Sequence, residues 1–258
     1  MPVAITPAPS VIAFRDARHG IAGAGARDCG GAFVVCTTPG AILATTDGGR
    51  TWSVIQRTSS AVAEVDVIGT YEHAVLDDGA NLASRDGGRH WHPIIPPESN
   101  FGAPCPYDPI KLLDPVETTP TAALCGGEPG GGSQVKTVYR LRNSRWKRVA
   151  WAPAHGRGHG IPLGGYPLGL SIAPSGFGLI WEDRGPLLAT RDGGSHWGQT
   201  AASADLWKRD DVSLSGAALQ GGVGFALIAH RTGEPVLTLI ETSDAGRVWR
   251  VVHRWHTR

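Results

Sequence analysis

Short runs of apolar or alternating residues, interrupted by glycine and aspartate, set the pattern of this chain. Ala61–Val67, Glu72–Leu76 and Ala80–Ala83 follow one another with only a turn between them, as do Leu168–Ala173, Gly176–Trp181 and Pro186–Thr190. Runs of this length, alternating or continuously apolar, predict half-buried or buried β-strands. A near-constant octapeptide follows the third run of each set. It reads Thr45–Trp52 (TTDGGRTW), Ser84–Trp91 (SRDGGRHW), Thr190–Trp197 (TRDGGSHW) and Thr242–Trp249 (TSDAGRVW). An Asp-Gly turn between short apolar runs is a hairpin signal in its own right.

Each part of the octapeptide has a physical reading. The aspartates Asp47, Asp86, Asp192 and Asp244 open a tight turn and are expected to accept backbone N–H groups, as an Asx-turn does. The glycines that follow supply the positive φ of a reversing chain. The Ser or Thr two positions earlier ties its hydroxyl into the same turn. Trp52, Trp91, Trp197 and Trp249 re-enter the next strand as large apolar bodies for packing between repeats. These eight residues are therefore expected to be structural. The four aspartates stand 39, 106 and 52 residues apart, so the middle interval is two repeats long. Inside it, Lys136–Asn143 followed by Arg145–Val149 has the form of a repeat whose turn has lost its aspartate and glycines. Self-similarity at such periods marks a repeat architecture.

The octapeptide resembles the Asp-box, Ser/Thr-x-Asp-x-Gly-x-x-Trp, of sialidase-like β-propellers. The resemblance implies an all-β chain, a single propeller over 1–258, with boxes on the face opposite the ligand site. Repeats of roughly 50 residues give a five-bladed Asp-box propeller, with six blades as the alternative; the blades span about 8–57, 58–97, 104–152, 166–201 and 209–258. Val11–Gly20 leading into Ile21–Gly25, and Ala123–Lys136, are similar to exported bacterial propellers of the photosystem II stability and assembly factor group. That group implies binding of other proteins or ligands rather than chemistry. Sialidases share the box but need three arginines, a Tyr/Glu nucleophile pair and an aspartate acid. Phe14-Arg15-Asp16 lacks the Ile-Pro of their entry motif, and Tyr71, Tyr107, Tyr139 and Tyr166 have no nucleophile context.

Composition narrows the classes further. A formal net charge of +1 gives no electrostatic reason to expect a nucleic-acid partner, and no stretch has the length of a transmembrane helix. The four cysteines fall into two local pairs, Cys29 with Cys36 and Cys105 with Cys125, which reads as two disulfides. Pro2–Ser10 resembles the start of a mature exported chain. Together these predict an extracytoplasmic protein, secreted or surface-anchored. If Met1 is the true start, the expectation becomes cytoplasmic and the cysteines buried thiols. No C-x-x-C, P-loop, dinucleotide fingerprint or Gly-x-Ser-x-Gly elbow is present, and neither metal nor cofactor is expected.

The loops opposite the boxes carry the candidate site. Asp77, Glu182 and Asp183 are the catalytic candidates, because paired carboxylates serve glycosidases as acid and base or nucleophile. Asp78, Arg184, His230 and Arg231 are ligand-binding candidates from the same hairpin ends. The long connection 152–167 adds His155, Arg157, His159 and Tyr166, expected on the same rim. The principal reading is a non-catalytic extracytoplasmic binding or assembly module recognising a protein or carbohydrate there. The alternatives are a carbohydrate-active enzyme, glycosidase or lyase, and a small-molecule enzyme on a propeller scaffold.

Overall fold

The computed structural model describes residues 7–25, 39–95, 105, 111–112, 122–131, 133–143, 145–153, 155, 157–183, 185–200, 212–230 and 236–256. They form five four-stranded antiparallel sheets, each built from strands consecutive in sequence. The first comprises β1 (Pro9–Phe14), β2 (Gly20–Ala24), β3 (Gly40–Thr45) and β4 (Ser53–Thr58); the second, β5 (Val62–Ile68), β6 (Tyr71–Leu76), β7 (Asn81–Ser84) and β8 (His92–Ile94). The third comprises β9 (Lys111–Leu112), β10 (Ala122–Gly130), β11 (Ser133–Arg142) and β12 (Arg145–Ala152). The fourth has β13 (Tyr166–Ile172), β14 (Gly178–Asp183), β15 (Leu188–Thr190) and β16 (Gly198–Gln199), and the fifth β17 (Val212–Ala218), β18 (Gly224–His230), β19 (Val236–Thr242) and β20 (Arg250–His256). The strands read from the apolar runs are present, displaced by one or two residues at their ends.

The sheets pack on one another as the blades of a β-propeller. β1 and β2 lie against β5, β10 and β11 against β13, and β13 and β14 against β17. The fifth sheet returns to the first, with β17 and β18 on β1. Because each sheet is contiguous in sequence, side chains rather than a shared strand make this closure. Ser215 Oγ accepts from Ile12 N at 3.0 Å and donates to Ile12 O at 3.3 Å, and the Phe14 and Phe225 rings stack 3.7 Å apart.

The apolar core follows the seams. Ile12, Phe14, Leu43 and Trp52 of the first sheet meet Phe225, Leu227, Leu239 and Trp255 of the fifth. Other clusters join the third sheet to the fourth, the fourth to the fifth, and the first to the second. Trp52, Trp197 and Trp249 are buried in these seams, and Trp91 packs beside one. The tryptophans thus take the inter-repeat position their apolar bulk predicts.

Candidate functional site

The boxes occupy the β3–β4 type of connection, and each closes on the first turn of its own sheet. Gly48 N donates to Arg18 O at 2.9 Å, Gly193 N to Gly176 O at 2.9 Å, and Ala245 N to Gly222 O at 2.8 Å. Within the fourth sheet's box the aspartate's hydrogen bonding is met locally. Thr190 Oγ1 donates to Asp192 Oδ1 at 2.8 Å and accepts from Gly194 N at 3.0 Å, while Ser195 N and His196 N both reach Asp192 Oδ1 at 2.9 Å. His196 Nδ1 sits 2.6 Å from the other carboxylate oxygen. Asp47 has the same cage, with Thr51 Oγ1 at 2.6 Å in the histidine's place. The Thr51 hydroxyl and N–H hold the Asp47 carboxyl at about 2. The His90 ring and N–H hold Asp86 well below the usual range. Such carboxylates are turn braces.

Alternation of the antiparallel strands puts the β2–β3 type of turn at the other end of each sheet. Asp77 and Asp78 lie in the β6–β7 turn. Asp77 is half-buried, and its N–H donates to Ala61 O at 2.9 Å. Asp78 is exposed, with Ala80 N on its Oδ1 at 2.9 Å; that backbone donor holds its carboxyl below the ordinary value. Asp183 ends β14 and is in register with Tyr166, the first residue of β13; both are half-buried. His230 ends β18, half-buried, with Nε2 3.1 Å from Thr238 Oγ1. Arg184, Arg231, Cys29 and Cys36 lie outside the described residues. Cys105 and Cys125 form the expected disulfide, with Cα atoms 5.4 Å apart.

Two expectations are corrected. The first concerns the surroundings of Glu182, read from the sequence as a catalytic candidate in a loop end opposite the boxes. Its side chain is 0% exposed and forms an ion pair with Lys136, also 0% exposed, across the seam between the third and fourth sheets. The Lys136 ammonium also donates to Gly164 O. Gly165 and Gly185 close over the carboxylate so tightly that a Cβ on either would lie 2.5 or 2.4 Å from Oε2. Burial pushes the Glu182 carboxyl up to about 7 against the pull of Lys136, and burial lowers the Lys136 ammonium. The second concerns His159, expected on the rim opposite the boxes. Trp151 and His159 exchange backbone hydrogen bonds at 2.8 and 2.7 Å, and the segment then reaches the fourth sheet's box, where Trp197 N donates to Gly160 O at 2.5 Å. The His159 ring is 4.9 Å from Trp151 and 5.4 Å from His196, with Arg148 4.2 Å over Trp151. Glycine at 160 permits this approach, since a Cβ there would overlap Ser195 O. His155 and Arg157, in the same connection, are exposed.

Among the described residues, the candidates that lie together are Tyr166, Glu182 and Asp183, brought close by the β13–β14 register at the third–fourth seam. Asp77, Asp78 and His230 sit at the ends of other sheets. Lys136 was not singled out from the sequence. Its signal is its place on the buried phase of β11, two residues before Val138. No group of three or more metal-ligating side chains is present among the described residues, and no helix is long and apolar enough to cross a membrane.

No model of a known protein family matches the chain, and no curated protein matches it. Among solved structures it is similar to YCF48 bound to a D1 peptide, at 16% identity over 97% of this chain and 82% of that one, TM-score 0.38. YCF48 from Cyanidioschyzon merolae is 14% identical over 97% and 86%, TM-score 0.40. The Hadza microbial sialidase Hz136 is 15% identical over 94% and 57%, TM-score 0.41. At these values no activity or partner carries over from any of them.

Proposed function

We propose that this chain is a non-catalytic binding or assembly module, extracytoplasmic in its native setting, which recognises a protein or glycan through the sheet ends opposite the boxes. The contrast between the two ends of the sheets is the observation that supports this best. At the box end each aspartate is used within its own loop. At the other end, Asp78 is exposed and Asp77, Asp183 and His230 are half-buried, in turns whose sequence differs from sheet to sheet. Variable turns on a rigid scaffold are where binding residues concentrate. The Cys105–Cys125 disulfide supports an oxidising compartment. The carbohydrate-enzyme reading drew on Asp77, Glu182 and Asp183, and of these the Glu182 carboxylate is enclosed with Lys136.

Affinity capture from the envelope fraction of expressing cells tests the proposal, with aryl glycosides assayed in parallel. Wild-type protein should retain a partner that is lost when charge is reversed at Asp78 and Arg184 and kept when it is reversed at Arg89 of the second box. Turnover of a glycoside that disappears with Asp183→Asn would overturn the non-catalytic reading.

A further inference from the structure

Charge is spread unevenly along this chain. Residues 129–181 carry seven lysines and arginines and no aspartate or glutamate, while the rest carries 17 cations against 23 acids. The β11–β12 hairpin gathers four of the seven on one face. Across its two strands Arg140 pairs with Lys147 and Arg142 with Arg145. Residues two apart on a strand share a face, and directly opposite Cβ atoms stand about 4.5–5.5 Å apart. The four cations therefore form a two-by-two array, in which each charge faces its like. Such pairs are destabilising.

Among the described residues, no carboxylate lies within ion-pair distance of any of the four. Arg142, Arg145 and Lys147 are exposed. Arg140 is half-buried and donates to a neutral carbonyl, Gly193 O of the fourth sheet's box, at 3.3 Å. The carboxylate of that box, Asp192, is taken up by Thr190, Ser195 and His196. Burial and, after it, the charge of Arg142 hold Arg140 below the ordinary guanidinium value. Among the described pairs between third and fourth strands in the other four sheets, none joins two like charges. In the fifth, Glu241 faces Arg250 and binds it at 3.0 Å.

Edge protection does not account for the array. Charges on an outer strand guard it against pairing with another chain, a task β12 could meet alone, whereas Arg140 and Arg142 lie on the interior strand β11. Four close cations ask for an anion that brings more than one charge to one place. A terminal phosphate carries up to about two, and the planar forks of the three arginines fit its oxygens in pairs. We infer that the β11–β12 hairpin binds a terminal phosphate group, with Arg142, Arg145 and Lys147 as its exposed contacts and Arg140 beside them. A soluble phosphate compound and a phosphorylated lipid headgroup share this chemistry. The hairpin turn stands where the other sheets have a box, so the site leaves the proposed partner surface uncovered.

Isothermal titration calorimetry with sodium pyrophosphate, set against sodium chloride at matched ionic strength, tests the site. Saturable binding of pyrophosphate and none of chloride is expected, with a saturable rise in Tm. Arg142→Glu makes the pair with Arg145 attractive, so its Tm without ligand should equal or exceed that of the wild type. Its affinity for pyrophosphate should nevertheless fall about tenfold or more, and Lys147→Gln should weaken binding in the same direction. Sedimentation with phosphatidylcholine vesicles, with and without phosphatidic acid, separates the sources. Uptake on the phosphatidic acid vesicles that pyrophosphate reverses assigns the site to a lipid headgroup; pyrophosphate binding without such uptake assigns it to a soluble phosphate. Absence of saturable pyrophosphate binding, an affinity unchanged by both variants, or tighter binding of hexaglutamate overturns the inference.

Discussion

Replacing Lys136 with methionine removes the cation from the third–fourth seam while keeping its length and apolar stem. Both partners are fully buried, so the variant leaves a carboxyl enclosed by Gly165 and Gly185 without its ammonium. Breaking a buried pair in this way costs about 3–5 kcal/mol. The pH dependence identifies the cause. Glu182 already has a folded-state value raised from 4.5 to about 7 by burial, so the folded chain binds this proton more tightly than the unfolded chain. The stability this contributes is complete below 4.5 and lost as pH rises through about 7. Without Lys136 the carboxyl rises further, so the deficit of Lys136→Met should be largest at pH 8 and shrink at pH 4. Urea denaturation followed by tryptophan fluorescence at both pH values gives the numbers. The double variant Lys136→Met/Glu182→Leu should recover most of the loss, since an apolar pair of similar volume is often neutral or stabilising by about 1–4 kcal/mol. A deficit below about 1 kcal/mol that is equal at the two pH values would refute the reasoning, because an exposed pair behaves that way.

Three further outcomes are expected. Thr190→Val should cost about 1–3 kcal/mol, because Thr190 is 1% exposed and the variant strands the Gly194 N–H inside the box; urea denaturation reads it directly. Ala245→Gly should raise stability by about 0.5–1 kcal/mol, since Ala245 holds φ at 58°, a left-handed conformation that the other boxes give to glycine; an unchanged or lower Tm would count against it. The double variant Cys105→Ser/Cys125→Ser should lose about 3 kcal/mol, the closure term for a separation of 20 residues, and intact mass of the wild type should rise by two hydrogens for this bridge on reduction.

Much of the fold is legible in the sequence because the information is local. A box needs only its own eight residues: the hydroxyl of Thr45, the Asp47 carboxylate and the Gly49 N–H meet within a single turn. Burial of Glu182 was not legible in the same way, because it is a property of two sheets brought together. Asp183 and Glu182 are adjacent charges at a hairpin end; one remains half-buried and the other is sealed only because β11 lays Lys136 beside β14. The one local sign was a lysine on the inward phase of an apolar strand. The descent of His159 to the fourth box depends on a close approach at Gly160 that no periodicity reports. That Arg140 and Arg142 stand opposite Lys147 and Arg145 requires the register and not the composition alone.

If partners meet the sheet ends away from the boxes, site-specific photo-cross-linking should capture them there. A photoreactive phenylalanine would replace Asp78 or His230 at one end, and Arg89 or Arg247 at the other, in protein expressed in its native cells. Adducts to a common partner from positions 78 and 230, with none from 89 and 247, are the predicted result. Adducts from the box positions alone would place the partner surface at the opposite end and contradict this reading of the sheet ends.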